Sequence, residues 1–137
     1  MKYLSLDIGD KRIGVAGCDD LMISVQGITV IQRKNRDTDL QAIAKLIDKY
    51  KPEGIVIGIP LNDENQISKQ GEKIQRFVER LRKKISLPVY TCDERYSSRE
   101  AGEVLIQRKE SGEKQIDRVA AAIILQRFLD AKKGSTT

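Results

Sequence analysis

Asp7, the pair Asp93-Glu94 and Asp117 carry the strongest chemical signal in this chain. Asp7 sits late in an alternating segment just before Gly9, Asp93-Glu94 follows the stretch LPVYT, and Asp117 lies at the start of the run IDRVAAAIIL. If the first two segments are neighbouring strands and the third is a helix crossing their edge, the carboxylates converge, because ligands gather at the carboxyl ends of strands in open α/β sheets. Clustered carboxylates repel. Such a cluster serves to hold Mg²⁺ or Mn²⁺, hard cations that take oxygen ligands and bridge phosphates.

Composition narrows the chemistry further. The 137 residues contain no histidine and two cysteines. That excludes Ser-His-Asp and Cys-His catalysis, histidine general bases and histidine-ligated zinc. A metal-activated water is the one strong nucleophile left for cleaving a phosphodiester. With 25 Lys+Arg against 20 Asp+Glu, the net charge of +5 favours polyanionic partners. Cys18 and Cys92 read as reduced, buried thiols. The N-terminus reaches Asp7 too soon for a signal peptide, and no apolar run approaches the length of a membrane span, so the expected location is cytoplasmic, away from membranes.

Each acid also has a purely structural reading. Asp7 could cap a turn, Asp93 or Glu94 could pair with Arg95 or Arg99, and Asp117 could favour the positive end of a helix dipole. Basic residues, among them Lys11, Arg12, Arg33, Lys34, Arg36, Arg95, Arg99, Arg108, Lys109 and Arg118, fall in loops or at helix starts, several of them beside the acids. Gly9, Gly14 and Gly17 match neither the Rossmann nor the Walker spacing, and a tight hairpin explains Gly9 better.

The elements that must position these residues follow from periodicity. Tyr3 to Gly9, Ile13 to Cys18 and Ile23 to Ile31 read as strands joined by short loops, hence an antiparallel meander with an interruption near Gly27. Leu40, Ile43, Ala44, Leu46 and Ile47 recur at helical spacing after a cap at Asp37 or Thr38, and Pro52 stops the run. The apolar segment Gly54 to Pro60 reads as a strand covered on both faces. A polar loop from Leu61 to Ser68 precedes a helix with Ile74, Phe77, Val78 and Leu81 inward, and its outward Lys73, Arg76, Arg80 and Lys84 read as a solvated face. Leu87 to Thr91 is a further strand, Ser98 caps a helix to about Gln107, and Gln115 to Ala131 is the final helix before a frayed KKGSTT tail. Strands separated by helices run parallel, so the expected architecture is a mixed five-stranded α/β sheet, three antiparallel strands then two parallel, with helices on both faces in a single domain over residues 1–137.

LDIGDKRIGVA, GIVIGIPLN, DERYSS and IDRVAAAIIL resemble, in this order and across nearly the whole chain, the YqgF/RuvX family of bacterial Holliday junction resolvases, also described as the pre-16S rRNA nuclease. The resemblance implies a ribonuclease H-like fold and divalent-metal cleavage of phosphodiesters. It further implies a role in maturing the 5′ end of ribosomal RNA or in processing branched DNA. Its acids carry over to Asp7, Glu94 and Asp117, with Asp93 the runner-up to Glu94. Arg12, Arg95 and Arg99 are then expected at the phosphates of the nucleic acid. Two departures stand out: Asp63-Glu64-Asn65-Gln66 replaces a Met-Asp-Gly loop, and Ser97-Ser98 follows Tyr96 where the family carries Thr-Thr after an aliphatic residue. A homodimer is expected if the substrate is a junction, which needs two active sites, and is not required for trimming one RNA strand. The competing reading is a nucleic-acid-binding ribosome-assembly factor without turnover.

Overall fold

The structure, a computed structural model, describes residues 1–61, 64, 66–94 and 113–135. Its sheet has the order β3-β2-β1-β4-β5. The strands are β1 (Tyr3–Ile8), β2 (Arg12–Cys18), β3 (Val25–Gln32), β4 (Gly54–Pro60) and β5 (Val89–Glu94). β2 pairs antiparallel with both β1 and β3, while β1, β4 and β5 run parallel. This is the mixed sheet expected from the order of periodicities. Among the described residues the helices are α1 (Arg36–Tyr50), α2 (Lys69–Lys84) and α3 (Glu113–Ser135).

Alternation along the strands sorts the two layers. Leu4, Leu6 and Ile8 of β1 join Ile13, Val15, Ile55, Ile57 and Ile59 in a core closed by α1 and α2. On the other face Tyr3, Cys18 and Val56 pack against Ile124, Leu125 and Leu129 of α3. The amphipathic reading of α2 holds: Ile74, Phe77, Val78 and Leu81 are all buried. Burying each such side chain contributes about 1.5–3 kcal/mol relative to leaving it in water.

Local details depart from the sequence reading for identifiable reasons. α1 is capped by Asn35, whose side chain accepts from the Thr38 backbone N–H, rather than by Asp37 or Thr38. It ends at Lys51 in the left-handed region, just before Pro52. β3 begins at Val25, because Asp19 accepts backbone N–H bonds from Ile23 and Ser24 and folds that stretch into a turn, leaving Ile23 72% exposed. Those donors, Ser24 foremost, hold the Asp19 carboxyl below the usual carboxylate range. The interruption near Gly27 is a bulge: Val15 faces Thr29 while Ala16 faces Gly27, so Ile28 is the extra residue. β5 starts two residues late and runs on through Glu94. The KKGS of the tail continues α3 to Ser135 instead of fraying. The expected helix from Ser98 to Gln107 lies outside the described residues.

Cys18 and Cys92 form no disulfide with each other. Cys18 is buried, and that burial pushes its thiol pKa up, so it stays protonated and unreactive at neutral pH. Cys92 is only half-buried, a correction to the expectation of two buried thiols. Among the described residues no helix is long and apolar enough to cross a membrane.

Candidate active site

The turn after β1 is a tight hairpin: the Gly9 N–H donates to the Arg12 carbonyl at 2.8 Å, closing a loop of Asp10 and Lys11. A Cβ on Gly9 would meet that same carbonyl at 2.8 Å, so glycine is required by the close approach and not by a phosphate. The hairpin sends β2 back beside β1 with Asp7 paired to Gly14.

Gly14 is where α3 reaches the sheet. A Cβ there would stand 2.0 Å from the Asp117 carbonyl oxygen, so the helix backbone rests directly on the strand beside Asp7. One helical turn further on, the buried Ser5 hydroxyl donates to the Ala121 carbonyl at 2.6 Å. The two contacts share a repeat: two residues of strand advance about 6.8 Å and four residues of helix about 6 Å. Ser5 and Asp7 lie on one face of β1, Asp117 and Ala121 on one face of α3, and the pairs therefore come into line. The triple alanine 120–122 allows this approach, with Ala120 and Ala121 fully buried. Ser5 was missed as a positioning residue; its signal is a lone hydroxyl among the apolar residues of a central strand.

Asp117 accepts a bond from Arg12 Nε at 2.7 Å, with the two side chains 22% and 23% exposed. Arg12, expected at the substrate, thus bonds Asp117 and restrains its carboxylate. The dipole reading of Asp117 weakens as well. α3 begins at Glu113, which places Asp117 in the second turn, and the dipole effect falls off within the first. Beside it, Arg118 packs against Gly27, and its Nε is buried with no hydrogen-bond partner among the described residues.

A double-mutant cycle on thermal stability should therefore show Arg12 and Asp117 coupled. Arg12→Gln and Asp117→Asn together are expected to cost less than the sum of the singles by about 1–3 kcal/mol, the range for a charge-assisted bond in a mostly buried setting. Additive losses would make the contact incidental.

The third acid stands further off. β1 and β5 are not neighbours, contrary to the condition under which convergence was expected, because β4 lies between them. Two strand spacings separate them by about 10 Å. Glu94 pairs with Pro60 at the carboxyl end of the sheet, in the same alternating series as Tyr90 and Cys92. Tyr90 and Cys92 pack on the α3 side, with the Tyr90 ring against Phe128. Asp93 belongs to the opposite series with Thr91 and is exposed. Among the described residues no three acidic or thiol side chains are grouped tightly enough to hold a metal. Arg95, Arg99, Asp63 and Asn65 lie outside the described residues. The donor chemistry of Asp7 and Asp117, carboxylate oxygen without nitrogen or sulfur, fits a hard divalent cation.

A sequence model of the family described as "RuvX: Holliday junction resolvase" matches residues 1–131. A protein of Desulforamulus reducens named "Putative pre-16S rRNA nuclease" is 42% identical over 134 residues, covering 96% of this chain and 98% of that one. Another of the same name from Halothermothrix orenii is 44% identical over 133 residues, covering 95% of each chain. Among solved structures, Thermus thermophilus RuvC in complex with a Holliday junction substrate superposes with a TM-score of 0.60 at 15% identity, covering 98% of both chains. The Fowlpox virus resolvase in complex with Holliday junction DNA gives 0.53 at 13% identity, covering 96% of this chain and 99% of that one. These likenesses establish the ribonuclease H-like fold. Since the family match runs unbroken from the strand that carries Asp7 to the helix that carries Asp117, this chain belongs to the RuvX family.

Proposed function

We propose that this protein is a divalent-metal-dependent nuclease that hydrolyses phosphodiester bonds in structured nucleic acid, and that its substrate is the ribosomal RNA precursor, matured at the 5′ end of 16S rRNA. One observation supports the reading: α3 rests its backbone at Asp117 on Gly14, the residue paired with Asp7 in the sheet. The name shared by the relatives supports RNA as the substrate. Residues 1–137 would act as one nuclease domain, and a cytoplasmic site of action follows from the substrate.

Asp7, Glu94 and Asp117 would hold Mg²⁺ or Mn²⁺. When bound, the cation supplies a water of lowered pKa as nucleophile and offsets charge on the scissile phosphate. The chain's own part is positional. β1 fixes Asp7, the Ser5–Ala121 bond sets the height of α3, and Arg12 holds the Asp117 carboxylate in one orientation. Arg95, which directly follows Glu94 in the chain, and Arg99 shortly after it are assigned to the phosphates of the nucleic acid. The Met-Asp-Gly loop of the family is absent here, so its positioning role is assigned to no residue of this chain.

A second reading, resolution of branched DNA, is favoured by the family's description and requires a homodimer with paired sites. Precursor rRNA and a four-way DNA junction should be incubated side by side with Mn²⁺, Mg²⁺ and EDTA, with the solution mass measured under the same conditions. The expected result is RNA cleavage at the 5′ side that EDTA stops. Junction cleavage alone, by a dimer, would replace the first reading with the second. Tight binding with neither substrate cut would make the protein an assembly factor.

A further inference from the structure

The face of the sheet opposite α3 carries a cleft of about 380 Å³ between the β1–β2 turn, the start of α1 and the outer side of α2. Its cations are Arg33, Lys34, Arg36, Lys73, Arg76 and Arg80, against the acids Asp10 and Asp39. Asp39 is already engaged: it is 2% exposed, takes Arg33 Nε at 2.9 Å and accepts the Lys34 backbone N–H at 3.1 Å. Arg33 is built in rather than solvated. Its Nη1 donates to the Gly9 carbonyl at 2.7 Å and its guanidinium carbon lies 5.5 Å from the centre of the Phe77 ring.

The other cations are exposed: Lys34 and Arg36 at the start of α1, and Lys73, Arg76 and Arg80 along α2. Lys73, Arg76 and Arg80 recur at steps of three and four residues, which aligns them in one stripe about 10 Å long. A strand of duplex carries a phosphate about every 3.4 Å of axis, so such a stripe spans several of them. Flexible exposed cations over a mostly polar cleft suit an extended polyanion better than a compact apolar ligand. The location matters equally. Ile8 and Asp10 line the cleft and Gly9 anchors Arg33, so it opens at the turn that directly follows Asp7, on the other side of the sheet edge.

We infer that this cleft grips the phosphate backbone of a double-helical RNA segment flanking the cleaved strand, while the strand itself crosses the sheet edge to Asp7. The inference rests on the nuclease reading above and gives the cationic face of α2 a ligand. The interaction reads shape and charge, so it is independent of base sequence.

The test uses the triple variant Lys73→Gln, Arg76→Gln, Arg80→Gln, whose exposed positions and retained helix propensity preserve folding. Binding is measured in EDTA, between 50 and 200 mM salt, to an RNA hairpin with a single-stranded 5′ extension and to the extension alone. For the hairpin, the variant should bind at least about tenfold more weakly, and the slope of log K against log salt should flatten by about two to three, one unit or slightly less for each phosphate no longer neutralised. Affinity for the extension alone should not change. Unchanged affinity and slope for the hairpin would overturn the inference, as would equal losses on both RNAs, which would mark a diffuse field. Competition by millimolar inorganic phosphate with no change in slope would reduce the cleft to a small-anion site and overturn it too. A weakening on a DNA hairpin with no weakening on RNA would overturn RNA as the occupant. Cleavage of precursor rRNA by the wild type separates the two levels: it persists if only this inference fails and is absent if the nuclease reading fails.

Discussion

Asp7→Asn should fold as the wild type does and cleave at least about 10²-fold more slowly, the scale for removing one preorganised stabiliser of transition-state charge. The substitution keeps the shape of the side chain and removes its charge, so the β1–β2 pairing and the core beneath it are undisturbed. Asp117→Asn should slow cleavage by a similar factor, and the double variant little more than the worse single, because the two carboxylates act as one unit. Product formation is to be followed at saturating Mg²⁺ with thermal midpoints recorded in parallel. An Asp7→Asn protein of near wild-type rate would remove the acid pair from catalysis and with it the proposed function.

Gly14→Ala is expected to be nearly as damaging without touching an ionisable group. In an ordinary strand position the change would stabilise by shrinking the freedom of the unfolded chain, by about 0.4–1 kcal/mol. Here the new methyl would lie 2.0 Å from the Asp117 carbonyl oxygen and 2.5 Å from its carbon, and helix backbone cannot step aside as a side-chain tip can. Overpacking of this kind costs about 1–3 kcal/mol or more, and the relief available is for α3 to lift from β2. The thermal midpoint should fall by several degrees and cleavage should fall with it, although Asp7, Glu94 and Asp117 are all present. Gly17→Ala supplies the comparison: its close neighbours are the tips of Met1, Ile28 and Leu4, which can shift, so the destabilisation should be smaller. If Gly14→Ala kept the wild-type midpoint and rate, α3 would not be seated as described.

The large elements were legible because their periods are strong. The continuous apolar run of β4 and the apolar stripe of α2 each match one kind of burial, and they appear where the pattern places them. Boundaries failed where a single polar side chain decides them. Asn35 outcompetes Asp37 as a cap, and Asp19 turns the chain at Ile23, which would otherwise pass as the start of a strand. Of the acids, Asp7 and Asp117 could be named from context, but the seating of α3 against the strands depends on Gly14, Ser5 and Ala121, residues whose small size says nothing until the helix is laid on the strand. The bond of Arg12 to Asp117 was not legible for the same reason, since a basic residue in a hairpin gives no hint of a partner 105 positions away. The outward cations of α2 were legible too: Lys73, Arg76, Arg80 and Lys84 are exposed, as the periodicity of the helix places them.

The bond between Ser5 and Ala121 closes a span of 116 positions, and the Arg12–Asp117 bond one of 105. Contacts so remote in the chain carry a large loop-closure cost and form late in folding. On the ribosome, β1 and the meander emerge long before α3 is made, at about 5–20 residues per second. Every growing chain therefore passes through a period in which the strand that carries Asp7 has been made and the helix that carries Asp117 has not. Under the proposed function, a chain at that stage still lacks one of the three acids assigned to the metal, so cleavage must wait for the last helix.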